Sequence, residues 1–111
     1  MIDWIILNDE AQVSTIASEE GDSLIFKHST RCPVSMMAKR NFESESDALP
    51  KGVPIYFLDL IRYRTISAGV AEVFQITHES PQLLLIRNGQ CIFTSSHSEI
   101  NAPDVAKELL A

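Results

Sequence analysis

Apolar residues recur along the chain at two spacings, and together they predict strands that alternate with helices. Short segments rich in apolar and β-branched residues predict strands. Intervening segments with apolar residues three and four positions apart predict amphipathic helices. The predicted strands are Trp4 to Leu7, Ser23 to Lys27, Ile55 to Asp59, Gln82 to Arg87 and Gln90 to Ser95.

The helix boundaries follow from capping residues and from apolar spacing. Asn8 or Asp9 can cap the first helix, and Gln12 approaches the capping-box pattern. The next helices are predicted from Val34 to about Ser46, from Ile66 to Ile76, and after Asn101. The apolar residues whose spacing fits these four helices are Val13, Ile16 and Ala17; Met36, Met37, Ala38 and Phe42; Ile66, Val70, Val73 and Phe74; and Val105, Ala106, Leu109 and Leu110.

Turn residues separate these elements and order them into a fold. Ala48 to Pro54 is predicted to be a loop, and Asn88-Gly89 predicts a tight hairpin because both turn positions need positive φ. The order is therefore β-α-β-α-β-α-β-β-α. Right-handed crossovers make the first three strands parallel and place helices on both faces of one central mixed sheet. This is an α/β thioredoxin-like fold, whose ligand crevice lies at the carboxyl ends of the parallel strands.

Composition narrows the functional classes further. The 111 residues, 45% of them hydrophobic, predict one globular domain over residues 1–111. No segment approaches the ~20 apolar residues of a membrane span, and the start shows no secretory signal, so we expect a cytoplasmic protein without a membrane partner. Fifteen acidic against nine basic residues give a net charge of −6, which argues against nucleic acid as a partner.

The two cysteines, Cys32 and Cys91, are the candidates for chemistry. Structural disulfides are rare in the cytosol, and two cysteines do not complete a four-ligand zinc cage. The default interpretation of each is a small buried hydrophobic residue. Cys91 pairs with Ile86 across the predicted hairpin, which puts it roughly 17 Å from the crevice, too far for a disulfide with Cys32.

Cys32 stands where a strand gives way to a helix, and this position favours a reactive thiolate. A thiol must lose its proton to act as a nucleophile, and the first turn of a helix offers free N–H groups and a positive dipole end. Pro33 suits the first helical position because it lacks an N–H. Val34 and Ser35 complete the turn, and Ser35 can offer its N–H or hydroxyl to the sulfur. Arg31 adds a positive charge.

Pro81 forms the second part of the candidate site. In this topology the loop before the fourth strand crosses the helix start that carries Cys32. A cis Ser80-Pro81 bond would turn the backbone groups of Ser80 towards a substrate beside the sulfur. Only ~5–6% of X–Pro bonds are cis, so the residues alone leave an ordinary trans proline open.

The segments FKHSTRCPVS, LDLIRYRTIS and HESPQLLLIRNGQC, followed by SSHSEI, resemble the YtxJ-type monothiol bacilliredoxins of the thioredoxin superfamily. The resemblance extends from Trp4 to the last helix. It implies a thiol–disulfide oxidoreductase that removes bacillithiol, or a similar small thiol, from S-thiolated client proteins. Cys32 would be the attacking cysteine, Ser35 would replace the second cysteine of dithiol relatives, and Pro81 would be the cis-proline.

The same resemblance suggests how the small thiol is held and recycled. His97 and Ser98 lie where related glutaredoxins bind the carboxylate of their thiol, and Arg31 is the nearest cation by sequence. His28 and His78 also fall in predicted loops at this end of the sheet. With serine at position 35, a second small thiol or a partner reductase must regenerate the enzyme, and no metal is expected.

Two other functions stay open at this point. His28, Cys32 and another histidine could hold zinc or an iron–sulfur cluster shared between subunits, although Pro33 stiffens the turn where cluster-binding relatives have glycine. Alternatively, the protein is a non-catalytic redox sensor or adaptor in which Cys32 reports oxidants and Ser35 marks lost activity.

Overall fold

The computed structural model describes residues 2–111 and contains one five-stranded sheet with four helices. The strands are β1 (Trp4–Ile6), β2 (Asp22–His28), β3 (Ile55–Asp59), β4 (Gln82–Arg87) and β5 (Gln90–Ser96). The helices are α1 (Glu10–Ser18), α2 (Pro33–Ser44), α3 (Arg64–Val73) and α4 (Ala102–Leu109). Short 3-10 turns follow α2 at Ser46–Ala48 and β5 at His97–Glu99.

The strand order in the sheet is β1-β3-β2-β4-β5, which confirms the predicted fold class. Strands β1 and β2 run parallel to β3 on either side of it, and β4 lies antiparallel to β2. The carboxyl end of β2 pairs with the end of β3 and the start of β4, because His28 lies opposite Asp59 and Lys27 lies opposite Gln82. Both neighbouring loops therefore meet the segment that leads to Cys32.

The predicted hairpin joins β4 to β5, and Ile86 pairs with Cys91 as the sequence predicts. Asn88 and Gly89 both adopt positive φ. At Gly89 a Cβ atom would lie 2.1 Å from the carbonyl oxygen of Ala17, so the hairpin packs directly against the end of α1. This close approach requires glycine in addition to the turn geometry.

Successive side chains of β2 point to opposite faces of the sheet, and each face carries a hydrophobic core. Leu24 and Phe26 pack in the core covered by α2 and α4, whereas Ile25 packs in the core covered by α1 and α3. The same alternation directs Lys27 and His28 to opposite faces at the end of the strand. Lys27 contacts α3 and His28 contacts α2.

Several element boundaries differ from the prediction. Helix α3 begins at Arg64, before the predicted Ile66, and ends at Val73 because Gln75 adopts a φ of 53° that no helix continues. Val73, counted in the apolar stripe, is 49% exposed. His28, predicted to lie in a loop, is the last residue of β2 and is buried. Among residues 2–111, no helix has the length and apolar composition needed to cross a bilayer.

Candidate active site around Cys32

Cys32 is the N-cap residue of α2, directly before the first helical residue, Pro33. Its backbone is extended, with φ −110° and ψ 117°. The Cys32 carbonyl accepts the N–H of Met36 at 3.0 Å, and the Cys32 N–H donates to the carbonyl of Ser29 at 3.2 Å. The side chain is half-buried and the thiol is free. These bonds hold the cysteine backbone at the point where the strand gives way to the helix.

The first turn of α2 presents backbone donors near this sulfur. The Cys32 side chain makes no capping hydrogen bond within residues 2–111, so it does not occupy the N–H groups of Val34 and Ser35. Pro33 has no N–H to offer. The helix dipole and these free donors favour a negative charge at the N-terminus of α2, and the exposed Arg31 precedes it. Cys32 therefore lies at the end of α2 where backbone donors and the positive end of the dipole are available.

Ser35 is fully buried, and its hydroxyl is engaged away from the sulfur. The Oγ atom accepts the N–H of Ser29 at 3.0 Å and lies 2.7 Å from Nδ1 of His28. The expectation that the Ser35 hydroxyl could serve Cys32 does not describe this arrangement, because the oxygen is already bonded on two sides. Its backbone N–H lies in the first turn of α2, where the Cys32 side chain makes no capping hydrogen bond.

Pro81 is buried beside the end of β2, and the Ser80-Pro81 peptide bond is cis. The N–H of His97 donates to the carbonyl of Pro81 at 3.0 Å, which ties the turn after β5 to this loop. The Ser80 hydroxyl oxygen is buried and has no hydrogen-bond partner among the described residues.

The two residues predicted to hold a small thiol, His97 and Ser98, border two depressions in the structure. Ser98 lines a cleft of about 310 Å³ together with residues of the first turns of α2; the lining residues are Pro33, Val34, Met37, Ala38, Asn41 and Ser98. His97, with φ 57°, lines a second depression, which Ser98 also lines and which Glu79 and Glu99 flank. A carboxylate in that depression would face two like charges, so the cleft beside α2 is the better placed of the two for an anionic ligand.

A buried lysine beside the cis-proline loop is a feature that the sequence analysis missed. Lys27 is fully buried, and its ammonium group donates to the carbonyl of Ser67 at 3.2 Å and lies 3.2 Å from Nδ1 of His78. Burial lowers the pKa of Lys27 to about 8 and also lowers the pKa of His78. A lysine inside the otherwise apolar strand SLIFK was the signal available in the sequence.

Cys91 lies in a setting unlike that of Cys32. It is half-buried in β5, and its thiol donates to the carbonyl of Phe93 at 3.6 Å. Burial raises the pKa of the Cys91 thiol, which disfavours the reactive form. Within the described part of the chain, no three side chains of His, Cys, Asp or Glu are grouped so that they could hold a metal ion.

Solved structures share this architecture. A protein described as having a thioredoxin fold superposes with a TM-score of 0.81 at 27% identity, covering 94% of this chain and 91% of its own. The thioredoxin of Malassezia sympodialis gives a TM-score of 0.72 at 20% identity, with coverages of 95% and 86%. A mutant thioredoxin from Halobacterium salinarum gives 0.66 at 14% identity, with coverages of 96% and 86%.

The fold and the lone cysteine at the start of α2 define a thiol–disulfide redox protein of the thioredoxin class. Within that class, the family model described as "Monothiol bacilliredoxin BrxC" matches residues 5–105. The chain therefore belongs to the monothiol bacilliredoxin family, and the resemblance seen in the sequence is confirmed.

Proposed function

We propose that this protein removes bacillithiol, or a similar small thiol, from mixed disulfides on client proteins, with Cys32 as the nucleophile. The observation that carries the proposal is the position of Cys32, a half-buried free thiol at the N-cap of α2 in a chain of the monothiol bacilliredoxin family. Arg31 and the first turn, Pro33 to Ser35, are its proposed thiolate-stabilising surroundings.

The first step is a thiol–disulfide exchange at the sulfur of the small thiol. The Cys32 thiolate attacks that sulfur, the disulfide between the small thiol and the client breaks, and the client leaves as a thiolate that takes a proton from water. The product is a disulfide between Cys32 and the small thiol. No net oxidation occurs, because one disulfide is exchanged for another.

The second step needs a thiol from outside the site. Ser35 stands one helical turn from Cys32 and carries no sulfur, so the protein itself supplies no resolving thiol there. A second small thiol, or a thiol of a partner reductase, attacks the small-thiol sulfur of the mixed disulfide, forms a new disulfide with that small thiol and releases the Cys32 thiolate. Such a cycle suits a compartment that keeps thiols reduced, and the cytoplasm is our proposed location.

The proposed substrate contacts come from the two segments beside α2. The backbone of Ser80, ahead of Pro81, would bind the segment next to the disulfide. The cleft that Ser98 shares with Pro33 and Val34 would hold the small thiol. His97 belongs to the same proposal as a residue of that turn, although Glu79 and Glu99 beside it oppose an anionic ligand.

Mass spectrometry of the Cys32 peptide tests the proposal directly. The reduced protein is mixed with a client carrying bacillithiol, glutathione or coenzyme A as a mixed disulfide. We expect the small thiol to appear on Cys32 and the client to be released, and the fastest of the three transfers identifies the preferred thiol.

Cys91→Ser is the matched control for Cys32→Ser. We expect Cys32→Ser to abolish release of the client and Cys91→Ser to retain the wild-type rate within about twofold, because burial disfavours the Cys91 thiolate. Comparable losses in both variants would contradict the single-cysteine scheme. Absence of any adduct on Cys32 would favour a sensor or adaptor instead.

A further inference from the structure

A buried polar cluster lies directly beneath the turn that carries Cys32. It consists of His28, Ser29 and Ser35, which are 6%, 7% and 0% exposed. The two hydrogen bonds that join them both involve the Ser35 hydroxyl. Buried polar groups in a small core destabilise the fold unless each has a partner, so the arrangement of protons in this cluster is restricted.

The hydrogen-bonding capacity of Ser35 determines which atom carries each proton. Its oxygen accepts the N–H of Ser29, and its single hydroxyl proton then needs an acceptor. Nδ1 of His28 lies 2.7 Å from the Ser35 oxygen. It can accept this proton when the imidazole is neutral and carries its own proton on Nε2. If Nδ1 carried the proton instead, the Ser35 oxygen would accept two N–H donors, and the Ser35 hydroxyl proton would have no acceptor on His28.

The surroundings of His28 favour that neutral imidazole. Burial lowers the pKa of His28, and the ammonium of Lys39 lowers it further. The carboxylates of Asp59 and Glu43 and a hydrogen bond to the Ser35 backbone raise the pKa of His28, each with a smaller effect than burial. The ring also lies against apolar aromatic groups, with its centroid 5.3 Å from that of Phe57. Burial thus favours the neutral imidazole, whose Nδ1 can accept the Ser35 hydroxyl proton.

We propose that His28 is a positioning residue for Cys32, acting through the Ser35 hydroxyl on the turn from Ser29 to Cys32. His28 orients the Ser35 oxygen, which holds the N–H of Ser29, and the carbonyl of Ser29 in turn accepts the N–H of Cys32. The series of bonds ends on the backbone of the reactive residue. Its consequence is a fixed placement of the sulfur over the first turn of α2.

This inference deepens the proposed function, yet its test needs neither bacillithiol nor a client. The second-order rate of Cys32 alkylation by iodoacetamide is measured against pH. The measurement is made in a Cys91→Ser background, so that all alkylation occurs at Cys32. Three variants are compared with this background. His28→Phe keeps a ring and removes the acceptor, His28→Asn restores an acceptor oxygen near the place of Nδ1, and Ser35→Ala removes the linking hydroxyl.

We expect His28→Phe and Ser35→Ala each to slow alkylation near pH 7 by about three- to tenfold and to move the pH profile to higher pH. The double variant should be no slower than the slower single variant, because both changes break the same series of bonds. His28→Asn should recover part of the rate. Circular dichroism verifies that each variant is folded.

Two results would overturn the inference. One is an unchanged alkylation profile in a folded His28→Phe or Ser35→Ala protein, which would make the cluster a packing feature alone. The other is a double variant whose losses multiply, which would make the two residues independent. If His28→Phe does not fold, Ser35→Ala and His28→Asn still decide the question. Failure of small-thiol transfer with an intact alkylation pattern would count against the proposed function and leave this inference standing.

Discussion

The two ends of the central strands differ in what they bury. At the hairpin end, Ile86 is buried in an apolar core, and Gly89 packs against the backbone of α1. At the opposite end, polar side chains enter the interior. Of the seven buried polar residues among residues 2–111, only Ser23 lies toward the hairpin; the other six are Lys27, His28, Ser29, Ser35, Ser67 and Gln82.

This difference separates an apolar end of the sheet from a polar end that leads to Cys32. Apolar burial contributes stability without directional requirements. Buried polar groups need specific partners and cost stability when the pairing is imperfect, and such departures from an apolar core are expected at functional sites. The two cysteines also differ, since Cys32 is the N-cap residue of α2 whereas burial raises the pKa of the Cys91 thiol.

The largest expected effect comes from placing a second sulfur one helical turn from Cys32, at position 35. Ser35→Cys, in a Cys91→Ser background, should form an internal disulfide with Cys32 under mild oxidation, because the N-cap and third helical positions lie within bonding distance. Loss of both free thiols, measured by thiol titration and intact mass, checks this. The matched control is Val34→Cys, whose side chain points away from this pairing. A Ser35→Cys protein that stays reduced would contradict this prediction and would mean that the side chain at position 35 stays directed at His28.

A smaller effect is expected at the hairpin end. Gly89→Ala should lower the free energy of unfolding by about 2–3 kcal/mol, because the added Cβ would collide with the Ala17 carbonyl at a positive φ. Denaturant titration measures the change. Gly69→Ala is the control, since that site in α3 has open space, and it should stabilise the protein by about 0.5–1 kcal/mol. A neutral Gly89→Ala would mean that the hairpin moves freely from α1.

The smallest effect concerns Lys27, whose buried charge is expected to cost stability. Lys27→Met should raise the free energy of unfolding at pH 7 by about 1–3 kcal/mol. Loss of the two hydrogen bonds of the Lys27 ammonium makes this gain smaller. The folded-state pKa is lowered from 10.5 to about 8, so the unfolded chain binds the proton more tightly between these values. Wild-type stability should therefore rise with pH from 8 to 10.5 relative to the variant.

Lys39→Met is the control for this pH dependence. Lys39 is only partly buried and pairs with Glu43 at 2.9 Å on the surface, so its removal should change stability little. The prediction would be wrong if the free energies of unfolding of wild type and Lys27→Met changed in parallel from pH 7 to 10, because the buried ammonium would then not destabilise the folded protein.

Much of the fold could be predicted because local patterns and long-range packing agree. The hairpin at Asn88-Gly89 and the helix start at Cys32-Pro33 follow from backbone preferences of those residues alone. The end of α3 could not be predicted, since Ile76 continues the apolar spacing whereas the left-handed backbone at Gln75 ends the helix. Apolar periodicity indicates which face of a helix is buried, but it does not indicate the residue at which the helix ends.

The sequence predicts Cys32 at the start of a helix but does not predict the hydrogen bonds of Ser35. Sequence spacing puts Ser35 one turn from Cys32, but the direction of its hydroxyl depends on His28, which reaches it from a strand. The positive φ at His97 is likewise a feature that the neighbouring residues do not predict. Contacts between elements, and single unusual dihedral angles, carry this information.

The alternation of Lys27 and His28 across the sheet has an evolutionary and engineering consequence. Because neighbouring side chains face opposite ways, this dipeptide supports two separate loops, one leading to Cys32 and the other to Pro81. An insertion or deletion of one residue within β2 would exchange the two faces and detach both loops at once. Length changes in this protein should therefore be tolerated in its outer loops and rejected within this short stretch of strand.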